Sequence, residues 1–497
     1  MPSFLRTLLS ALLIFSEAFC ADFFVSATGS DTNPGTQAAP FKTIQKGCDS
    51  AAAGSTVFVT AGIYSERITI NNSGDASNGF ITLRNFNTDA VAIDASNIAA
   101  PAGASAIIWI QDKSYVRIQG LELRNYSTTT KNNLIAGIYC TGAGDHIEIR
   151  NCHVHHIANN AAIPIGGLGR DAHGIAFYGT NGTTALTNIV VDSCEVDHNT
   201  LGSSETMTFN GNVDGFQATH NMVHDNDNIG IDAIGWEKTA PKNDQARNGI
   251  IRDNTVFNIE SKGNPAYGND TSAGGIYVDG GRDTLIERNI VYGADVGIEV
   301  GVEHHLKTAS GVTVRDNLIY NCVLTGIGFG GYDTRRGITE NCQFLNNTLY
   351  HNDTSNSGTG EVMIQQSKNN VFKNNIVVAT DQNILTSNVF AKAKSAGNVF
   401  DYNLYFCSGG ASASTWGWQK KNFSTFVTYQ AKSQQDAHSL FADPLFVSPT
   451  TFDFHLQTGS PAIDASDPAF APAAGETDLS GAPRKNGSAV DLGAYEK

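Results

Sequence analysis

Charge is scarce in this sequence. Asp, Glu, Lys and Arg make up only 16% of it, the balance is −16, and the basic residues form no run. A nucleic-acid partner is not expected, because phosphate backbones are held by clustered Lys and Arg. Apolar runs are equally rare. Beyond residue 20 no stretch reaches the ~18 apolar residues of a membrane span. Cysteine is too sparse for a disulfide scaffold in so long a chain. Of eight cysteines, seven follow Cys20, an odd number that leaves at least one thiol unpaired. Buried free thiols are expected, with one Cys152–Cys194 bridge as the alternative.

Residues 1–20 have the layout of a secretory signal. Arg6 supplies the charge, "LLSALLIF" the apolar run and "SEAFCA" the small-residue exit. The mature chain is therefore expected to be secreted and extracellular, with the periplasm or cell surface as alternatives, and monomeric.

The dominant feature is repetition. "EIRNCHV", "VVDSCEV", "ATHNMVH", "IRDNTVF", "IERNIVY", "VRDNLIY", "FLNNTLY", "FKNNIVV" and "FDYNLYF" recur along the chain. They align Cys152, Cys194, Asn221, Asn254, Asn289, Asn317, Asn347, Asn375 and Asn403 in one column. Stacked coils would place those residues one strand spacing apart, ~4.8 Å, so the Asn amides can bond up and down the stack. Before each unit stands a strand of strict alternation: "AGIYC", "HGIAF", "ETMTF", "IGIDA", "GGIYV", "VGIEV", "TGIGF" and "EVMIQ". Side chains alternate across a strand, so Ile138, Ile175, Met207, Ile231, Ile276, Ile298, Ile327 and Val362 should point inward. The residues between them should point out.

Short strands at this period without long helical patterns give an all-β solenoid of stacked parallel coils. Residues 22–405 resemble the right-handed parallel β-helix superfamily of secreted polysaccharide-active proteins. Thr43 is placed to cap a short helix in "PFKTIQKGCDSA", expected to plug the N-terminal end of the core. Residues 406–440 are expected to be a loop or insert. Residues 441–497, with "DPLFV", "GSPAIDAS" and "DLGAYE", are expected to form a C-terminal β segment that closes the helix end.

The outward positions concentrate acids in one region. Asp232, Asp279 and Glu299 belong to three consecutive coils and should face one patch of solvent. The adjoining turns add Trp236, Glu237, Lys238, Arg282, Glu303, His304, His305 and Lys307, and the next coil Tyr332, Asp333, Arg335 and Arg336. Asp214 and Asp225 read as Asx turns, whereas Asp227 stands at the mouth of its strand. The histidines near the ladder turns have no zinc-site spacing and read as structural or surface residues.

Such a face suits an extended polysaccharide, with Trp236, Tyr277 and Tyr332 stacking on sugars. If the polymer carries uronic acids, a bare acidic cleft repels it, and bound calcium resolves the conflict. The expected metal ligands are Asp227, Asp232, Asp279 and Glu299. The expected base for β-elimination is Lys238, His305 or Arg336. The run "NVDGF … DNDNIGID" is similar to the calcium-site region of family 9 pectate lyases, which implies the same chemistry. The alternatives are an inverting glycoside hydrolase using Asp232, Asp279 and Glu299, with Glu237 as a further partner, and a non-catalytic carbohydrate-binding or adhesin solenoid.

Overall fold

The computed structural model describes residues 21–497, so the leader expected over 1–20 lies outside the described residues. The chain winds as a right-handed parallel β-helix, as expected. Three long sheets run the length of the solenoid: a first of 17 strands, and a second and third of 13 each. Each coil contributes in turn to the second, the first and the third sheet. Pairing is parallel throughout, except where Thr415–Trp418 turns back on Lys421–Phe423 and in a C-terminal hairpin.

The inward column is buried as the alternation requires: Ile138, Ile175, Met207, Ile231, Ile276, Ile298, Ile327 and Val362 are each 0% exposed. The ladder forms at the corner between the first and third sheets. Asn254 Nδ2 donates to Asn289 Oδ1 at 2.9 Å, and Asn289 Nδ2 to Asn317 Oδ1 at 3.0 Å. The same oxygens accept the backbone N–H of the Asn one coil below, at 3.0 and 2.9 Å. Each Asn thus satisfies a backbone donor that the corner leaves without a strand partner. The residue before it takes a left-handed φ of 51–60° from His220 to Tyr402, which makes the corner sharp. Cys152 and Cys194 occupy the foot of the ladder, and all seven described cysteines are free and buried.

The N-terminal helix spans Ile44–Ser50, and Thr43 Oγ1 accepts from Lys46 N at 3.2 Å. Its Gly47 lies so close to the first coil that an added Cβ would stand 2.6 Å from Val57 Cγ1. Only glycine allows the plug to seat.

Two expectations about the C-terminal part are corrected. Residues 406–440 are not an inserted loop. Thr415–Trp418 adds the next strand to the second sheet, and the helix Phe426–Ser433 covers the end of the core. Tyr429 stacks on Trp416 at 4.6 Å, and Trp416 meets Tyr405 edge-on at 4.7 Å. A solenoid end exposes core, and these aromatics shield it. Residues 441–497 do not close that end but pack along the flank, on the outer face of the third sheet. Phe446, Phe454, Leu456 and Leu492 cover Leu318, Tyr320, Ile376 and Leu404. Lys373 Nζ pairs with Asp467 at 2.7 Å. The outward column there is apolar, and the tail removes it from water.

Candidate active site

In the second sheet, pairing aligns Thr208, Asp232, Tyr277 and Glu299 in one outward column. Asp279 stands two residues beyond Tyr277. The three acids share a face, but Tyr277 divides it into two adjoining clefts. Asp232, Asp279, Glu205, Glu237, Asp171 and Glu303 line a cleft of about 250 Å³, with Tyr178, Asn210 and Tyr267. Glu299 lines the second, about 450 Å³, with Tyr332, Met363, Gln365 and Ser272. Tyr267, Tyr277 and Glu303 border both.

The central carboxyls are far less exposed than an open solenoid face suggests, although Glu237 and Glu303 at the edge stay accessible. Asp232 is 1% and Asp279 7% exposed. The wall over them is the segment 261–273, which supplies Tyr267, Asp270 and Ser272. Arg170, itself buried, fixes that wall: its guanidinium donates to the carbonyls of Ala161, Ile163 and Pro265, joining the loop around 160 to the loop around 265. Gly166 N bonds Ala266 O at 2.8 Å beside it.

Burial and mutual repulsion set the protonation. Desolvation and the charges of Glu205, Asp279 and Glu299 push the Asp232 carboxyl far above the usual range. Burial, then Glu303, pushes Asp279 up to about 8. Burial, then Asp279 and Glu303, pushes Glu299 up to about 8. Burial and the nearby Glu237 and Asp171 do the same for Glu205, to about 8. The acids are tied to one another through the backbone as well. Asp232 Oδ1 accepts from Asp279 N at 3.4 Å, and Asp279 Oδ1 from Glu303 N at 2.9 Å.

Behind the cleft, His173 is fully buried. Its Nδ1 faces Glu205 O at 2.8 Å and its Nε2 faces the Tyr178 hydroxyl at 3.1 Å. Burial lowers this ring to about 4, so it is neutral and holds the Tyr178 hydroxyl in place.

Several expected residues lie elsewhere. Asp227 is separated from the other acids: its Oδ1 accepts from Leu201 N at 2.7 Å, and it borders a groove with His156, His198 and Asp225 near the third sheet. Its strand begins only at Ile231, so the alternation does not govern it. Lys238 is exposed in a turn with φ 65° and lies outside both clefts. His305 faces Arg335 O at 3.1 Å and lines a separate basic groove of about 410 Å³ with Lys307, Arg336, Lys368 and Lys394. Its neighbour His304 is the one that turns to the acids, with Nε2 3.5 Å from Glu237 Oε1. Arg336 bridges the two regions. Nη1 donates to Glu303 O at 3.1 Å, and the guanidinium lies 4.4 Å over Tyr332. Trp236 has Lys307 4.3 Å over its ring and Nε1 on Thr308 O at 3.3 Å, so it packs inward rather than offering a sugar platform. Tyr277 is buried between the clefts, and Tyr332 is 42% exposed at their rim.

Glu303 joins the clefts as its place in the adjoining turn implied, whereas Glu205, Asp171, Tyr178 and Tyr267 were not expected. Tyr178 pairs with Asn210 and was visible as an outward position two residues past Ala176. Glu205 and Tyr267 come from turns or loops, where no periodicity marks direction. Three buried polar atoms near the acids lack a partner: His304 Nδ1, Arg336 Nε and Gln365 Oε1. Such orphans are rare and mark a polar site built for something else.

The donor set fits a hard divalent cation in kind, since carboxylates and other oxygen donors line the cleft and no basic side chain does. It is a pool rather than a tight cage. Among the described residues, the His/Cys/Asp/Glu group with ligand atoms within 4.8 Å of one another is His153, Glu195 and Asp197, on another face.

No helix among the described residues is long and apolar enough to cross a membrane. The uncharacterized protein YwoF of Bacillus subtilis (strain 168) is 39% identical over 440 residues, 88% of this chain and 91% of that one. Pectate lyase PEL9 of Emericella nidulans is 35% identical over 136 residues, 24% of this chain and 33% of its own. The crystal structure of pectate lyase Pel9A shares the fold, with a TM-score of 0.50 at 15% identity and 96% of each chain covered. The Azotobacter vinelandii mannuronan C-5 epimerase AlgE6 A-module shares it with a TM-score of 0.51 at 13% identity, over 79% of this chain and 91% of that one. A family model described as "Pel9A-like, right handed beta helix region" matches residues 23–370, and the chain belongs to that family.

Proposed function

We propose that the protein is a polysaccharide lyase that cleaves a uronic-acid polymer by Ca²⁺-dependent β-elimination in the acidic cleft. The observation that carries this reading is the buried Asp232 carboxyl, on which the acting charges are those of Glu205, Asp279 and Glu299, all acidic. A buried anionic cluster needs either protons or a cation. Asp232, Asp279 and Glu205 would hold the ion, with Glu299 across Tyr277. When bound, Ca²⁺ supplies a bridge to the substrate carboxylate and stabilises charge that develops on it.

The chain's own residues do the rest. His304, its Nε2 3.5 Å from Glu237 Oε1 at the edge of the cleft, is the base that would take up the proton removed from the sugar through that nitrogen. Arg336 and Tyr332 form the rim, where the exposed ring supplies a stacking surface. The basic groove beyond them suits the next acidic sugars of the chain. Tyr267 and its loop, pinned by Arg170, exclude water.

One observation favours a second reading. No Lys, Arg or His lines the cleft that holds Asp232 and Asp279. Carboxyls near 8 keep their protons at neutral pH and serve as general acids, as inverting glycosidases require.

The test is a panel of pectate, alginate, glucuronan and neutral glycans assayed with and without Ca²⁺. The lyase reading predicts an ultraviolet-absorbing unsaturated product, abolished by chelator. Chelator-resistant release of reducing ends without that absorbance assigns the hydrolase. Binding without either product leaves a non-catalytic solenoid.

A further inference from the structure

We infer a second, independent metal site on the outer face of the third sheet, built from His153, Glu195 and Asp197 and selective for a borderline transition-metal ion such as Zn²⁺. The strands His153–Asn159 and Glu195–Asp197 pair in parallel, with His153 opposite Glu195. Val154 and Val196 point into the core at 0% exposure, so His153, Glu195 and Asp197 must all point out on adjacent rungs. His153 Nε2 stands 2.6 Å from Asp197 Oδ1. One ligand atom from each of the three residues lies within 4.8 Å of the others.

The ligands are held from behind. Asp197 Oδ2 bonds His198 Nδ1, and Glu195 Oε1 faces His224 Nε2 at 3.2 Å. Carboxylates oriented by outer partners are the usual support of a metal centre. The side chains of His153 and Glu195 are 38% and 43% exposed, so an ion enters without unfolding and keeps water in its open position. A tetrahedral ion with bonds of about 2.0–2.1 Å needs neighbouring ligand atoms about 3.3 Å apart. The His153–Asp197 contact therefore opens by less than an ångström, which side-chain rotation supplies. One imidazole nitrogen and two carboxylates suit Zn²⁺, Ni²⁺ or Cu²⁺, whereas Ca²⁺ wants six to eight oxygens.

The test is calorimetric titration of chelator-treated full-length protein with ZnCl₂, comparing wild type, His153→Ala, Glu195→Gln and Asp232→Asn. The expected result is one saturable site, weakened at least tenfold in His153→Ala and in Glu195→Gln, unchanged in Asp232→Asn, and not competed by excess CaCl₂. Glu195→Gln keeps size and sits on the surface, so it reads the site even if His153→Ala folds poorly. Absence of saturable binding, or binding lost in Asp232→Asn and kept in the other two, overturns the proposal.

Discussion

The backbone N–H of Asp279 donates to Oδ1 of Asp232 at 3.4 Å, so one acid of the cleft orients the other through the main chain. Neither side chain contributes to the hydrophobic core, although both are nearly inaccessible. Function and stability are therefore separable at this point of the fold.

Asp232→Asn should lower turnover at least 100-fold, the loss expected when a group that holds reaction charge is removed. In chelator its melting temperature should equal or exceed that of wild type, because a repelled buried carboxyl has been neutralised. Unchanged turnover would place the chemistry elsewhere.

The adjacent Ile231→Ala should do the reverse. Ile231 is 0% exposed in the central cluster, and truncation there costs ~2–5 kcal/mol by transfer and cavity terms. Urea unfolding measures the loss, and the residual folded protein should keep whatever specific activity the substrate panel assigns.

Asn289→Ala interrupts the ladder. It removes the acceptor of Asn254 N and Nδ2 and the donor to Ile251 O, all buried. With stranded polar groups costing roughly 1–3 kcal/mol each, a net loss of about 2–4 kcal/mol is expected. Hydrogen exchange should rise at Asn254 first.

Metal-free protein should lose stability as pH rises. Burial raises Glu205, Asp279 and Glu299 from the ordinary carboxyl range of 3.8–4.5 to about 8 in the folded state. Below about 4 both folded and unfolded chains carry these protons. Between about 4 and 8 the folded chain holds more of them, so each rise in pH favours unfolding until the folded groups also ionise. Melting in chelator across that window checks the slope, and Ca²⁺ should flatten it.

His304→Ala should cost at least 100-fold in turnover with little change in KM, whereas His305→Ala should stay within a few-fold of wild type. Steady-state kinetics on the substrate identified by the panel separates them. Equal losses would mean that neither imidazole takes the proton.

Much of this was legible beforehand where the chain repeats. The inward column from Ile138 to Val362 and the ladder from Asn221 to Asn403 follow from a period-two alternation and a recurring corner, and the structure contains both. The placement of Asp232 and Glu299 on one face followed by the same rule. Glu205, Tyr267 and the choice between His304 and His305 did not, because turns and loops carry no periodicity. Asp227 fell away for the same reason, four residues ahead of its strand.

By itself the sequence determined the winding: local alternation fixes which side chain enters the core, and identical corners fix how coils stack. Only the tertiary structure decided that Tyr277 splits the acidic face and that an Arg170-pinned loop from the next coil roofs it. It also decided that the tail lies along the flank instead of over the end. Those outcomes depend on contacts between segments far apart in the chain, whose energies a local pattern does not encode.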